Sequence, residues 1–294
     1  MDWFAILGIL FSGGLIVKVV EVLYKEYRRK KDEGKTSTNL LNKYMDPILK
    51  AADELVGKLR FLAQSDFREL ARHQVPSDSQ FDLWLPYLNL LYLFAQFWCR
   101  VEMLRIEGLF VNLGSDKRGK QLFAFIRQIE GTRTRIIDRS WQRAIGEALI
   151  VERTGYIRAL RYEEFVGKFL SSEDFRRWFL PLAKTLSRLN HKGARQRLLG
   201  YGVILHALID TLDSKHLVAR ARPGWPNKLT SRTKRELRFR VFRQYLKFVK
   251  EPERYLSQKY EPPARFWHAP ILGRAAHLLG GCRLVKRLTK GLMK

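Results

Sequence analysis

The chain has 294 residues, 46% of them apolar, which is enough for a real core and argues against a disordered chain. Its net charge of +26, from 55 Lys and Arg against 29 Asp and Glu, argues for a polyanionic partner, either a membrane leaflet or nucleic acid. The only two cysteines, Cys99 and Cys282, have no metal or redox spacing; they fit a reducing compartment and read as packing residues.

Residues 3–17 carry no charge, and Val19, Val20, Val22, Leu23 and Tyr24 extend the apolar content to about 20 residues, the length a bilayer core requires. Lys18 lies near the end of this run, where its stem reaches the headgroups, and Glu21 is placed to pair with it. Residues 1–31 therefore read as a transmembrane anchor with a basic stop, built on Trp3, Phe4, Ile9, Leu10, Leu15 and Lys18. Only Met1 and Asp2 precede the run, whereas Lys25, Arg28, Arg29, Lys30, Lys31 and Lys35 follow it. This predicts one span with the N-terminus outside and the rest of the chain in the cytoplasm. An acidic leader and the lack of an A-x-A site argue against a cleaved signal peptide. Gly8 and Ser12 form a small-xxx-small pair, common in any membrane helix; a protein partner or homo-oligomer stays open.

Residues 32–45 are polar and read as a linker that ends the juxtamembrane helix. Asp46 and Pro47 then have the form of an N-cap and first-turn proline for a helix burying Ile48, Ala51, Ala52, Leu55, Leu59 and Leu62. This opens an all-α domain over residues 46–222. Asp66 reads as the cap of a short continuation. Residues 83–99 are the most apolar stretch of this part, but Pro86, Asn89, Gln96 and the marginal length favour a central core helix over a second span. Residues 108–120 lack the phosphate-loop spacing and read as a solvated turn. Helices follow over 122–129, 138–151 and 156–170, another opening at Ser172 with Pro181 inside, and one over 194–212. No stretch shows sustained period-two alternation, so no sheet is expected.

His206, Asp210 and Asp213 fall on one face of the 194–212 helix, with His216 just beyond, and two carboxylates with an imidazole are metal-ligand types. No partner helix carries matching acidic ligands, so the expectation is the wetter side of an ordinary helix, with no metal and no cofactor. Glu152, Glu163 and Glu164 read as a charged surface paired to Arg158, Arg161 and Lys168. No nucleophile motif is present, and the chain reads as a non-enzyme.

Charge rises toward the C-terminus: residues 1–150 carry a net +5, residues 151–294 a net +21, and residues 215–294 alone +17. A turn at residues 223–227 marks the expected start of a basic helical tail, residues 223–294. Thr230 or Ser231 opens a helix with Arg232, Arg240, Arg243, Lys247 and Lys250 on one face and Val241, Phe242, Tyr245, Leu246, Phe248 and Val249 on the other. Residues 282–294 set Leu284, Val285, Leu288 and Leu292 against Arg283, Lys286, Arg287 and Lys290, the pattern of a basic helix lying in a membrane interface. These cations, with Arg28, Arg29, Lys30 and Lys31, are the expected contacts to anionic lipid of the inner leaflet. The resulting expectation is a membrane-anchored scaffold, sensor or effector; tethered nucleic-acid binding by residues 215–294 is the alternative.

Overall fold

The computed structural model describes residues 14–71, 81–109, 111, 113–153, 155–223, 225 and 228–257. They are predominantly helical: α1 (Gly14–Gln64), α2 (Arg68–Ala71), α3 (Phe81–Glu107), α4 (Lys117–Ile129), α5 (Arg139–Ala148), α6 (Tyr162–Ser171), α7 (Glu173–Ser187), α8 (Lys192–Leu212), α9 (Ser231–Glu236), a π-helical turn (Leu237–Phe242) and α10 (Glu253–Leu256). One two-stranded antiparallel hairpin, β1 (Ile150–Arg153) and β2 (Tyr156–Ala159), interrupts them.

The core forms around α3, which is apolar on all sides and is buried at Tyr87, Leu91, Phe94, Trp98 and Leu104. It lies against α1 and α5, while α8 packs on α1 and α4. Gly146 makes the α3–α5 approach possible, because a Cβ there would sit 2.9 Å from the Trp98 backbone. Tyr201 on α8 accepts a hydrogen bond from the Trp98 indole at 2.9 Å, and Phe165 and Phe169 of α6 meet Phe175 and Phe179 of α7 in edge-to-face contacts. Cys99 is buried in this core, its thiol pushed up to about 12 by burial, so it packs as expected.

Several helix starts follow from local chemistry. Asp138 accepts from the Ser140 N–H, Ser172 from that of Phe175 and Thr230 from that of Thr233, each satisfying an orphan donor of the first turn.

The expected linker over residues 32–45 is absent: α1 runs continuously for 51 residues, and Pro47 lies inside it rather than at its start. Leu41, Tyr44, Met45 and Ile48 form one buried stripe across the proline. Burying each contributes about 1.5–3 kcal/mol, together exceeding the roughly 3 kcal/mol that an interior proline costs. Asp66 is not a cap. It and Phe67 take left-handed φ of 52° and 59°, turning the chain out of α1, and the Asp66 carboxylate pairs with Lys228 at 3.2 Å.

The hairpin corrects the two helices expected over 138–151 and 156–170. Gly155 turns the chain at φ +84°, and strands of four residues are too short to display alternation. The 223–294 tail also divides differently, since Leu237, Val241, Phe242, Leu246, Tyr255 and Leu256 belong to the same buried core as α1, α3 and α8.

Among the described residues, no helix is long and apolar enough to cross a membrane. The expected anchor finds no support there, because from Leu15 onward α1 meets Lys18, Glu21, Lys25, Glu26 and Arg28 at intervals too short for an uncharged span. Trp3, Phe4, Ile9 and Leu10 lie outside the described residues. So do Arg283, Lys286, Arg287 and Lys290.

Candidate functional site

The helical spacing of His206 and Asp210 brings both into a buried polar hub on α8. Asp210 Oδ2 accepts a hydrogen bond from the Tyr255 hydroxyl at 3.0 Å and faces Arg254 Nη2 at 3.3 Å. His206 Nε2 lies 3.7 Å from the same oxygen, and His216 Nε2 lies 3.7 Å from Oδ1. Asp213 does not join them. It accepts the backbone N–H groups of Leu217, Val218 and Ala219 at 2.8–2.9 Å, holding a turn in which His216 takes φ 51°. Burial opposes the Asp213 charge, but these donors hold its carboxyl below the ordinary value. The one-face arrangement is thus split: two members meet at the hub and the third folds a loop. Among the described residues no group of three or more potential ligands could hold a metal ion.

The hub fastens Arg254 and Tyr255 of α10 onto α8, and a second set of contacts fastens residues 222, 223 and 225 onto the body. Arg222 donates to Asp53 Oδ1 at 2.6 Å and to the Asp53 carbonyl at 3.1 Å, against Gly57, where a Cβ would meet the guanidinium at 3.0 Å. Arg60 donates to the Pro223 carbonyl at 2.6 Å and lies over the Trp225 ring, which presses on Gly202 of α8. Sequence alone does not expose this assembly, since Asp53 and Arg222, or Asp210 and Arg254, approach only through helix packing.

His206 is 1% exposed and neither ring nitrogen has a hydrogen-bond partner among the described residues. Burial, then the charges of Arg60, Arg254, Arg222 and His216, hold its imidazole well below the ordinary 6.5. A lowered histidine binds fewer protons folded than unfolded. Its stability contribution is complete above pH 6.5 and is lost as pH falls below that, by up to about 1.4 kcal/mol per pH unit. Asp210, raised by burial against the pull of Arg254 and Tyr255, contributes with the opposite sign at lower pH. Denaturant unfolding at pH 7.5, 6 and 5 is expected to show the loss, and His206→Leu to flatten it; equal slopes would remove His206 as the cause.

The expected polyanion contacts have a different setting. Arg240, Arg243, Lys247 and Lys250 are all exposed, and none is in an ion pair with a described residue, whereas neighbouring Arg238 is held by both oxygens of Glu253 at 2.5 and 2.6 Å. Arg243 lies over the Phe239 ring. Val241, Phe242, Leu246 and Val249 point inward as expected, but Tyr245 is 58% exposed beside the cations. Arg28 is exposed on α1; Arg29, Lys30 and Lys31 share that helix. Of the acidic candidates, Glu164 is held at about 2 by a two-pronged Arg158 pair and the Arg161 N–H.

Comparison with protein-family models, curated proteins and solved structures finds no match.

Proposed function

We propose that this protein is a membrane-anchored helical scaffold, sensor or effector, held through residues 3–24 with its body in the cytoplasm, that docks on anionic lipid and acts by binding rather than catalysis. The observation that supports it is the exposed set Arg240, Arg243, Lys247 and Lys250, four cations within eleven residues that have no ion-pair partner among the described residues, beside an Arg238 held by Glu253. Each such cation near an anionic leaflet contributes about 1 kcal/mol, less when crowded. Tethering the chain to the same surface raises the effective concentration, so modest affinity suffices.

The test uses the full chain reconstituted in lipid nanodiscs. Amide exchange over residues 239–250 is expected to slow by about tenfold or more in discs containing phosphatidylserine, and not in neutral discs. Replacing the four cations with Gln is expected to abolish the difference. Phe239 and Tyr245, 45% and 58% exposed among the cations, also suit stacking on nucleic-acid bases. A lipid-independent exchange pattern with oligonucleotide binding of steep salt dependence would replace docking by the nucleic-acid reading.

A further inference from the structure

A cleft of about 820 Å³ opens between the N-terminal half of α8, the turn over residues 131–134, and α9 with the π-helical turn. Arg133 reaches it from the turn, Lys192 and Arg197 from α8, Arg232 from α9 and Arg240 from the π-helical turn. Five cations therefore face one space, and Glu236 is the only acid among its lining residues. Arg232 reaches that acid at 3.5 Å. The other four make no hydrogen bond or ion pair through their side chains with any described residue. Elsewhere Arg105, Arg139, Arg158, Arg222, Arg238 and Arg254 all have carboxylate partners within 3.3 Å. All five cleft cations are exposed, so water and salt screen their mutual repulsion, yet an anion bound among them would gain from several cations at once.

The walls are fixed independently of any ligand. Gln196 donates to the Lys228 carbonyl at 2.7 Å and accepts from the Thr230 N–H at 2.8 Å, locking the start of α9 to α8. Thr134 donates to the Gln128 carbonyl, and the N–H groups of Thr134 and Arg135 close the turn on Gly131 at 3.0 and 2.9 Å, setting the position of Arg133. Leu237 and Val241 give the cleft an apolar floor beside Gly200. A preorganised basic wall over an apolar floor, in the usual 300–1,000 Å³ range of small-molecule sites, suits a ligand larger than a single phosphate.

We infer that this cleft binds a small molecule or headgroup carrying two or more phosphate groups, its phosphates on Arg133, Lys192, Arg197 and Arg240 and its carbon frame over Leu237 and Val241. The site goes beyond the surface-docking reading and shares only Arg240 with it. A free organic polyphosphate and a polyphosphorylated lipid headgroup offer the same chemistry.

The test uses the full chain in neutral nanodiscs titrated with inositol hexakisphosphate, ATP and inorganic phosphate, and separately in discs containing phosphatidylinositol bisphosphate or charge-matched phosphatidylserine. A polyphosphate is expected to bind more tightly than inorganic phosphate. Arg133→Gln with Arg197→Gln is expected to weaken it by about tenfold or more while thermal unfolding is unchanged. Lys192→Glu provides a second cleft variant, and Arg243→Gln with Lys247→Gln is the control outside the cleft. Cleft-dependent preference for the bisphosphate lipid over phosphatidylserine assigns the headgroup; cleft-dependent binding of soluble polyphosphate without that preference assigns a free ligand. Absence of binding by every probe, or equal loss in the 243 and 247 control, overturns the site. Retained cleft binding with no slowing over residues 239–250 in phosphatidylserine discs would remove surface docking alone.

Discussion

Asp210→Ala is expected to lower the unfolding free energy by about 3–5 kcal/mol, the usual cost of removing one member of a buried ion pair. Its carboxylate is 7% exposed and faces Arg254, whose side chain is 14% exposed. It also receives the Tyr255 hydroxyl and lies 3.7 Å from both His206 and His216. Alanine would leave the cationic side of the hub without this counter-charge and loosen α10 from α8. For a unit of this size the melting temperature should fall by roughly 6–20 °C. Asp210→Asn keeps an acceptor for Tyr255 but loses the charge, so an intermediate loss is expected. A change below about 1 kcal/mol for Asp210→Ala would mean that packing alone holds α10. The same melts with and without EDTA separate this hub from a metal site: a structural hub gives one melting temperature, and a metal ligand gives two.

Gly202→Ala tests the second fastening, with opposing predictions from local and tertiary physics. Helix propensity alone makes alanine more stable than glycine by about 1 kcal/mol inside α8. Packing says the reverse, because the new Cβ would run into the Trp225 ring and lie 3.3 Å from Leu59 Cδ1. Overpacking typically costs about 1–3 kcal/mol, and a buried indole between α8 and Arg60 has little room to yield. Net destabilisation is expected. In a Trp225→Ala background, itself costing about 3–5 kcal/mol, Gly202→Ala is expected to become stabilising. Destabilisation that persists without the indole would place the cause elsewhere in α8.

Residues that act on their own neighbours were legible in the sequence. Asp138, Ser172 and Thr230 open helices because their side chains accept N–H groups two or three residues onward. The central α3 was readable from an uncharged run framed by Asp82 and Arg100, and the inward turn of Val241, Phe242, Leu246 and Val249 from helical spacing. Signals that packing can override misled. Pro47 looks like a helix start, yet the buried stripe on both sides carries α1 through it; residues 150–159 look helical, yet a four-residue pairing turns them into a hairpin. His206 and Asp210 were visible as a helix face, but their partners Arg254 and Tyr255 arrive from 44 or more residues away.

By itself the sequence determined the helical class, the apolar core helix and the gradient of positive charge, because each depends on composition or on spacing within a few turns. Only the tertiary structure decided which cations are neutralised and which have no counter-charge among the described residues. Arg133, Lys192, Arg197 and Arg240 meet at one cleft because α8, α9 and the 131–134 turn are locked together, while Arg222, Arg238 and Arg254 are spent on Asp53, Glu253 and Asp210. Pairing depends on distances of a few ångströms between residues far apart in the chain, and those distances are set by packing.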